Sequence, residues 1–139
     1  MNMAEILDSW LNGRTIPPIV ALLGVRLISA QDGQAVAELP VRPDLFNAMG
    51  SLHGGVFADL ADITIGAAIA SAAEPEELFT TSQLSLHYFA AVREGTVRAK
   101  ASLIRRGRTT GYAECDLLDA TGLLVAKATS TCSFQQPRV

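Results

Sequence analysis

Apolar residues at Met3, Ile6, Leu7, Trp10 and Leu11 recur at helical spacing among polar neighbours, which predicts a short amphipathic helix over residues 3–12, stopped by Asn12-Gly13. Pro17-Pro18 breaks the chain next, so residues 1–20 read as that helix and a linker. Two β-rich runs follow, GVRLISA and QAVAELPV, separated by Asp32-Gly33, and residues 25–41 are expected to pair as an antiparallel hairpin. A Pro43-to-Gly50 loop leads into Ser51, Leu52 and His53. From there to Ala73 the chain has no proline and is rich in Ala, Leu and Ile, the pattern of a long central helix ended by Glu74-Pro75. From Thr80 onward the pattern becomes β-type: TSQLSLHYFAAV, TVRAKASLIRR, TTGYAECDLL and, after a Thr121-Gly122 turn, LLVAKATSTCSF, the last two forming a hairpin. Residues 135–139 read as a frayed tail.

One long helix and six strands with mostly short connections predict an α+β fold, in which a curved antiparallel sheet of five to six strands wraps the helix within a single domain, 1–139. The stretch from Phe46 to Ala73 carries only His53, Asp59 and Asp62 as ionisable side chains. Small apolar residues on nearly every side imply burial all round, with cover from the sheet and from a second subunit, so self-association is expected.

Two carboxylates in such a helix are costly without partners or a task. At about 100° per residue, Gly55, Asp59, Asp62, Gly66 and Ile69 form one stripe, while Val56, Phe57, Leu60, Ile63 and Ala67 form another. Glycine at 55 and 66 clears side chains from the Asp stripe, leaving room for a ligand or for another backbone. Gly54 and Gly55 stand at the helix start, where unpaired N–H groups and the positive dipole end suit an oxygen that gains negative charge. A donor there and a carboxylate two turns on would bracket a carbonyl, which points to acyl transfer to water.

Length and charge narrow the classes. With 139 residues, 49% hydrophobic, there is room for one core. A net charge of -3 supplies no field for nucleic acid or an anionic membrane. Cys115 and Cys132 are too few and too isolated for a disulfide framework or a zinc site and read as strand fillers, so a reducing, cytoplasmic setting is expected, with no metal. The N-terminus does not have the form of a signal peptide, and two Asp near the middle of the long helix argue against a membrane span. Six of the eleven basic residues, Arg93, Arg98, Lys100, Arg105, Arg106 and Arg108, fall within 16 positions.

Asn47, then His53-Gly54-Gly55, then Asp62 within HGGVFADLAD resemble the signature of the hotdog-fold acyl-CoA thioesterases, most closely the PaaI-like branch. The resemblance covers most of the chain, since LSLHYFAAVREG is similar to the strand that follows the family's helix. It implies a hotdog fold and hydrolysis of an acyl-CoA to free acid and coenzyme A, with no cofactor because coenzyme A is part of the substrate. It further implies that Asp62 is the catalytic carboxylate, nucleophile or general base, and that the Gly54 N–H polarises the thioester carbonyl. Asn47 and His53 support them, and a strand hydroxyl assists, either Thr81 or, with a one-residue slip, Ser82. Gly55 lies against the substrate, Asp59 is a helper or cap, and Arg106 and Arg108 on a strand turn are placed to bind coenzyme A phosphates. The implied site is shared across a homodimer. Separately from the resemblance, a homotetramer formed as a dimer of dimers is expected. His87 and Tyr88 read as sheet residues.

Two rivals stand beside this reading. A hotdog hydratase or dehydratase would require a His/Asp or His/Glu pair in a different motif, which HGGVFADLAD does not supply. A non-enzymatic acyl-CoA binding or sensing protein that regulates transcription would require a DNA-binding module, for which the chain has no room.

Overall fold

Asp32 and Gly33 sit at positive φ, 51° and 78°, and fold β1 (Arg26–Gln31) back on β2 (Gln34–Pro40). That two-residue turn matches the right-handed twist of the strands it joins, as the Asp-Gly pair predicts. The computed structural model describes residues 1–135. Four more strands, β3 (Leu78–Tyr88), β4 (Thr96–Arg106), β5 (Thr110–Leu118) and β6 (Leu124–Gln135), complete one antiparallel sheet of order β1-β2-β4-β5-β6-β3. Gln135 ends β6; the rest of the expected tail lies outside the described residues.

The long helix, α3 (Gly54–Ala70), lies across this sheet and packs mainly on β2, β4 and β5. About 25 Å long, it reaches across most of the sheet's width. The inward positions of the strands beneath it are mostly alanine: Ala35 and Ala37 on β2, Ala99 and Ala101 on β4, Ala113 on β5, all nearly inaccessible. Small residues there let the helix come close, and its own Phe57, Leu60, Ile65 and Ile69 fill the volume.

Two local expectations change. The helix ends at Ala70, not Ala73. Ser71 stops it, donating its hydroxyl to the Ala68 carbonyl at 2.7 Å while accepting from the Gly33 N–H at 2.9 Å. One serine thus satisfies a helix-end carbonyl and ties the β1–β2 turn to α3. The linker expected after Pro17 is a second short helix, α2 (Pro18–Leu23), begun by proline at its first position and closed by Gly24 at φ 80°. Arg42 caps it by donating to the Leu23 and Leu22 carbonyls at 2.5 and 3.0 Å. The expected N-terminal helix is α1 (Met3–Leu11), held by a reciprocal Asn2–Glu5 capping box. It leans on α3 and β1.

Candidate active site

Within the single chain, α3 leaves one stripe open, on the side for which cover from a second subunit is expected. Gly55, Ala58, Asp59, Asp62, Ile63 and Gly66 remain accessible while Ile69, placed with the Asp stripe on the helical wheel, is buried. Asp59 and Asp62 share that stripe as the spacing predicts. Partial burial, and then repulsion from the Asp62 charge, push the Asp59 carboxyl above its ordinary value.

Strand β3 supplies the partner of Asp62. Its pairing with β6 shifts register between Thr81 and Gln83, a bulge centred on Ser82. Thr81 thereby reaches the helix and donates Oγ1–H to Asp62 Oδ1 at 2.8 Å. Ser82 turns to β6, where its hydroxyl donates to the Thr131 carbonyl at 3.1 Å and lies 3.4 Å from Ser133 Oγ. With Oδ1 occupied, Oδ2 of Asp62 has no hydrogen-bond partner among the described residues. Beside it lies a cavity of about 220 Å³ whose walls, apart from Asp62, are apolar: Ile63 and Gly66 of α3, Ile6 and Trp10 of α1, and Phe79 of β3. A Cβ at Gly66 would meet nothing within 4 Å, so the open space continues along the helix.

The helix start is built differently from the expectation of two free glycine donors. His53 is the N-cap, and its Nδ1 accepts the Gly55 N–H at 2.8 Å. Gly55 is therefore committed within the turn, and among the described residues the Gly54 N–H is the one without a partner. Tyr88, read from the sequence as a sheet residue, donates its hydroxyl to the Gly54 carbonyl at 2.7 Å and sets its ring edge-on to Phe57, centroids 5.8 Å apart. No local pattern marked it; the contact spans 34 residues of sequence.

Asn47 organises the loop ahead of the helix. Its Oδ1 accepts from the Met49 and Ser51 N–H groups at 2.9 and 3.2 Å, and its Nδ2 donates to Ser51 Oγ at 3.1 Å. Asn47 and Gly54 line one hollow, together with Phe57, Tyr88 and Phe89; Asp62 lines the other. Eight residues of α-helix separate Gly54 from Asp62, about 12 Å along the axis. Within one chain, then, the donor and the carboxylate do not bracket a single carbonyl, contrary to the simplest expectation from their spacing.

The basic cluster divides. Arg98 pairs with Glu38, and Arg106 donates to Glu77 Oε2 at 2.5 Å while stacking over Phe134 at 3.3 Å from the ring centroid. Glu77 is 2% exposed, so Arg106 is spent on a buried carboxylate rather than presented to a ligand phosphate. Arg93, Lys100, Arg105 and Arg108 make no ion pair among the described residues. Arg108 sits at the exposed β4–β5 turn. Register places Arg106, Gly111, Cys132 and Thr81 in one row across four strands, so that turn lies about 14 Å from Thr81.

Both cysteines are buried, and burial pushes the Cys115 thiol up to about 12 and Cys132 upward as well, which keeps them inert. Among the described residues no three His, Cys, Asp or Glu side chains gather at metal-binding range, and no helix is long and apolar enough to cross a membrane.

Comparison with known proteins gives a consistent picture. The family model of the thioesterase superfamily matches residues 49–126, which contain the helix start, Asp62 and Thr81. The 1,4-dihydroxy-2-naphthoyl-CoA hydrolase of Listeria monocytogenes is 28% identical over 84% of this chain and 94% of its own length. A thioesterase structure from Haemophilus influenzae superposes with a TM-score of 0.84 at 25% identity, covering 91% of this chain and 88% of that one. A variant of the phenylacetic acid degradation protein PaaI from Thermus thermophilus superposes with a TM-score of 0.78 at 25% identity, covering 84% and 98%.

Proposed function

This chain belongs to the thioesterase superfamily, with the hotdog fold, and on that premise we propose that it hydrolyses an acyl-CoA thioester to a free carboxylic acid and coenzyme A, with Asp62 as the reacting carboxylate. The observation that carries this reading is the Thr81–Asp62 hydrogen bond at the edge of an apolar cavity. It holds a carboxylate in one orientation, with one oxygen left over, beside space that suits an apolar acyl group.

The Gly54 N–H, backed by the positive end of α3, takes the thioester oxygen as it gains charge. Asp62 then acts by one of two balanced routes. As a base, it removes a proton from water; the hydroxide adds to the carbonyl carbon, the C–S bond breaks, and the departing thiolate recovers that proton. As a nucleophile, Oδ2 adds to the carbon, the thiolate leaves, and water cleaves the resulting anhydride. Both give acid and thiol, and neither calls for a metal or redox group.

Because the donor and the carboxylate of one chain stand about 12 Å apart in separate hollows, the working site combines Asp62 and Thr81 of one copy with Asn47, His53 and Gly54 of a second. The long β3 edge and the open stripe of α3 are the surfaces available for that homodimer, which pairs further into a dimer of dimers. Arg108, free of ion pairing, is the arginine retained for coenzyme A phosphate. A cytoplasmic setting suits a substrate that carries coenzyme A.

The test is hydrolysis of a panel of short, medium, long and aromatic acyl-CoAs, followed by release of free thiol. Turnover of at least one class is expected, and no turnover of any would overturn the reading.

A further inference from the structure

Both ends of one peptide unit at the start of α3 are engaged. The Gly54 carbonyl accepts the Tyr88 hydroxyl at 2.7 Å, and the N–H of the same unit, that of Gly55, donates to His53 Nδ1 at 2.8 Å. A donor on an amide oxygen strengthens the amide's own N–H as a donor, so the two bonds reinforce each other. Nδ1 accepts and so carries no proton, which leaves Nε2 as the ring's donor. His53 is exposed, and Nε2 has no partner among the described residues.

The Tyr88 ring is fixed independently of its hydroxyl. Tyr88 ends β3 opposite Ala126 of β6, and its ring rests edge-on against Phe57, itself 3% exposed and one turn into the helix. A Cβ at position 54 would stand 3.2 Å from the hydroxyl oxygen and 3.3 Å from Cζ. A side chain at 54 would therefore press on the tyrosine and displace it by a few tenths of an ångström. Packing accounts for the ring; the hydroxyl has a separate task.

We propose that Tyr88 is a positioning residue for the reaction: through the Gly54–Gly55 peptide, its hydroxyl sets His53 as an Nε2–H donor and holds the first turn of α3 with the Gly54 N–H facing outward. This rests on the reading of Gly54 as the donor to the thioester oxygen. No proton is transferred along the relay. Its contribution is orientation, and it is felt when charge develops on the substrate.

Tyr88→Phe keeps the ring and removes the hydroxyl. The expected result is a kcat lowered by about tenfold, as the loss of one hydrogen bond to a catalytic element predicts, with KM within about twofold and the melting temperature nearly unchanged. In the amide NMR spectrum the Gly55 proton should move upfield and exchange faster with solvent, while amides in the middle of α3 stay in place. A Gly55 resonance and a kcat both at parent values would overturn the proposal. So would a joint decline of kcat, KM and melting temperature, which would mark Tyr88 as packing alone. The amide readout needs no turnover: a parent inactive on acyl-CoAs would overturn the hydrolase reading, while a displaced Gly55 resonance would still support the relay and an unmoved one would still overturn it. If Tyr88→Phe does not fold, nitrogen-15 shifts of His53 in the parent decide. A proton on Nε2 with a bare Nδ1 supports the relay, and the reverse overturns it.

Discussion

Thr81 on β3 and Asp62 on α3 are joined by a 2.8 Å hydrogen bond across 19 residues of sequence, and the bulge at Ser82 is what turns the threonine toward the helix. The hydroxyl donates to Oδ1 and so fixes the plane of the carboxylate.

Thr81→Ala should therefore lower kcat by about three- to tenfold, the worth of one hydrogen bond, with little change in fold. Thr81→Ser should restore most of the rate, because it returns the donor. Ser82→Ala should leave kcat near the parent value, since its hydroxyl bonds to β6. Steady-state kinetics on the three variants checks the assignment, and a larger rate loss from Ser82→Ala than from Thr81→Ala would reverse it.

Asp59 carries a pH-dependent cost. Its folded-state value lies above the ordinary 3.8 because of partial burial and then the Asp62 charge. Between the unfolded and folded values the native state holds more protons than the unfolded chain, so stability falls as pH rises through that window and stays lower at neutral pH. Asp59→Asn should raise the melting temperature slightly at pH 7 to 8, with the gain vanishing as pH falls toward the ordinary carboxylate range. A gain that instead grows on acidification would contradict the sign.

Arg106 and Arg108 should separate cleanly. Arg106→Ala strips a buried carboxylate of its guanidinium and should cost on the order of 2 kcal/mol of stability, less than the roughly 3–5 of a fully buried pair because 35% of the Arg106 side chain meets water. Arg108→Ala should leave stability within about 0.5 kcal/mol and weaken coenzyme A binding, by a factor that shrinks as salt is added. Thermal melts and calorimetric titration with coenzyme A at two ionic strengths distinguish them.

Gly111 on β5 is required by its neighbours. A Cβ there would lie 2.9 Å from the Phe134 ring and 3.0 Å from Cys132 Sγ, beneath the Arg106 stack. Gly111→Ala should lower stability by about 1–3 kcal/mol through overpacking, read from denaturant midpoints.

Much of this was legible in the chain. Alternation and turn residues placed all six strands, and the proline-free run placed α3, because period and punctuation are local signals. The six apolar residues of α2 have no readable period, and the arginine that caps them lies 19 to 20 residues downstream. The resemblance pointed to Asp62, Gly54 and a hydroxyl at 81 or 82, but only the bulge separates Thr81 from Ser82. Tyr88 and the Arg106–Glu77 pair were invisible, since each depends on a contact between residues 29 or more apart that no spacing rule encodes.

Asp62→Asn tests the central claim most directly. The substitution is nearly isosteric, so the variant should keep its melting temperature and oligomeric state, yet lose turnover by at least about a hundredfold when thiol release from the preferred acyl-CoA is followed. Hydrolysis at the parent rate by a folded Asp62→Asn protein would contradict it.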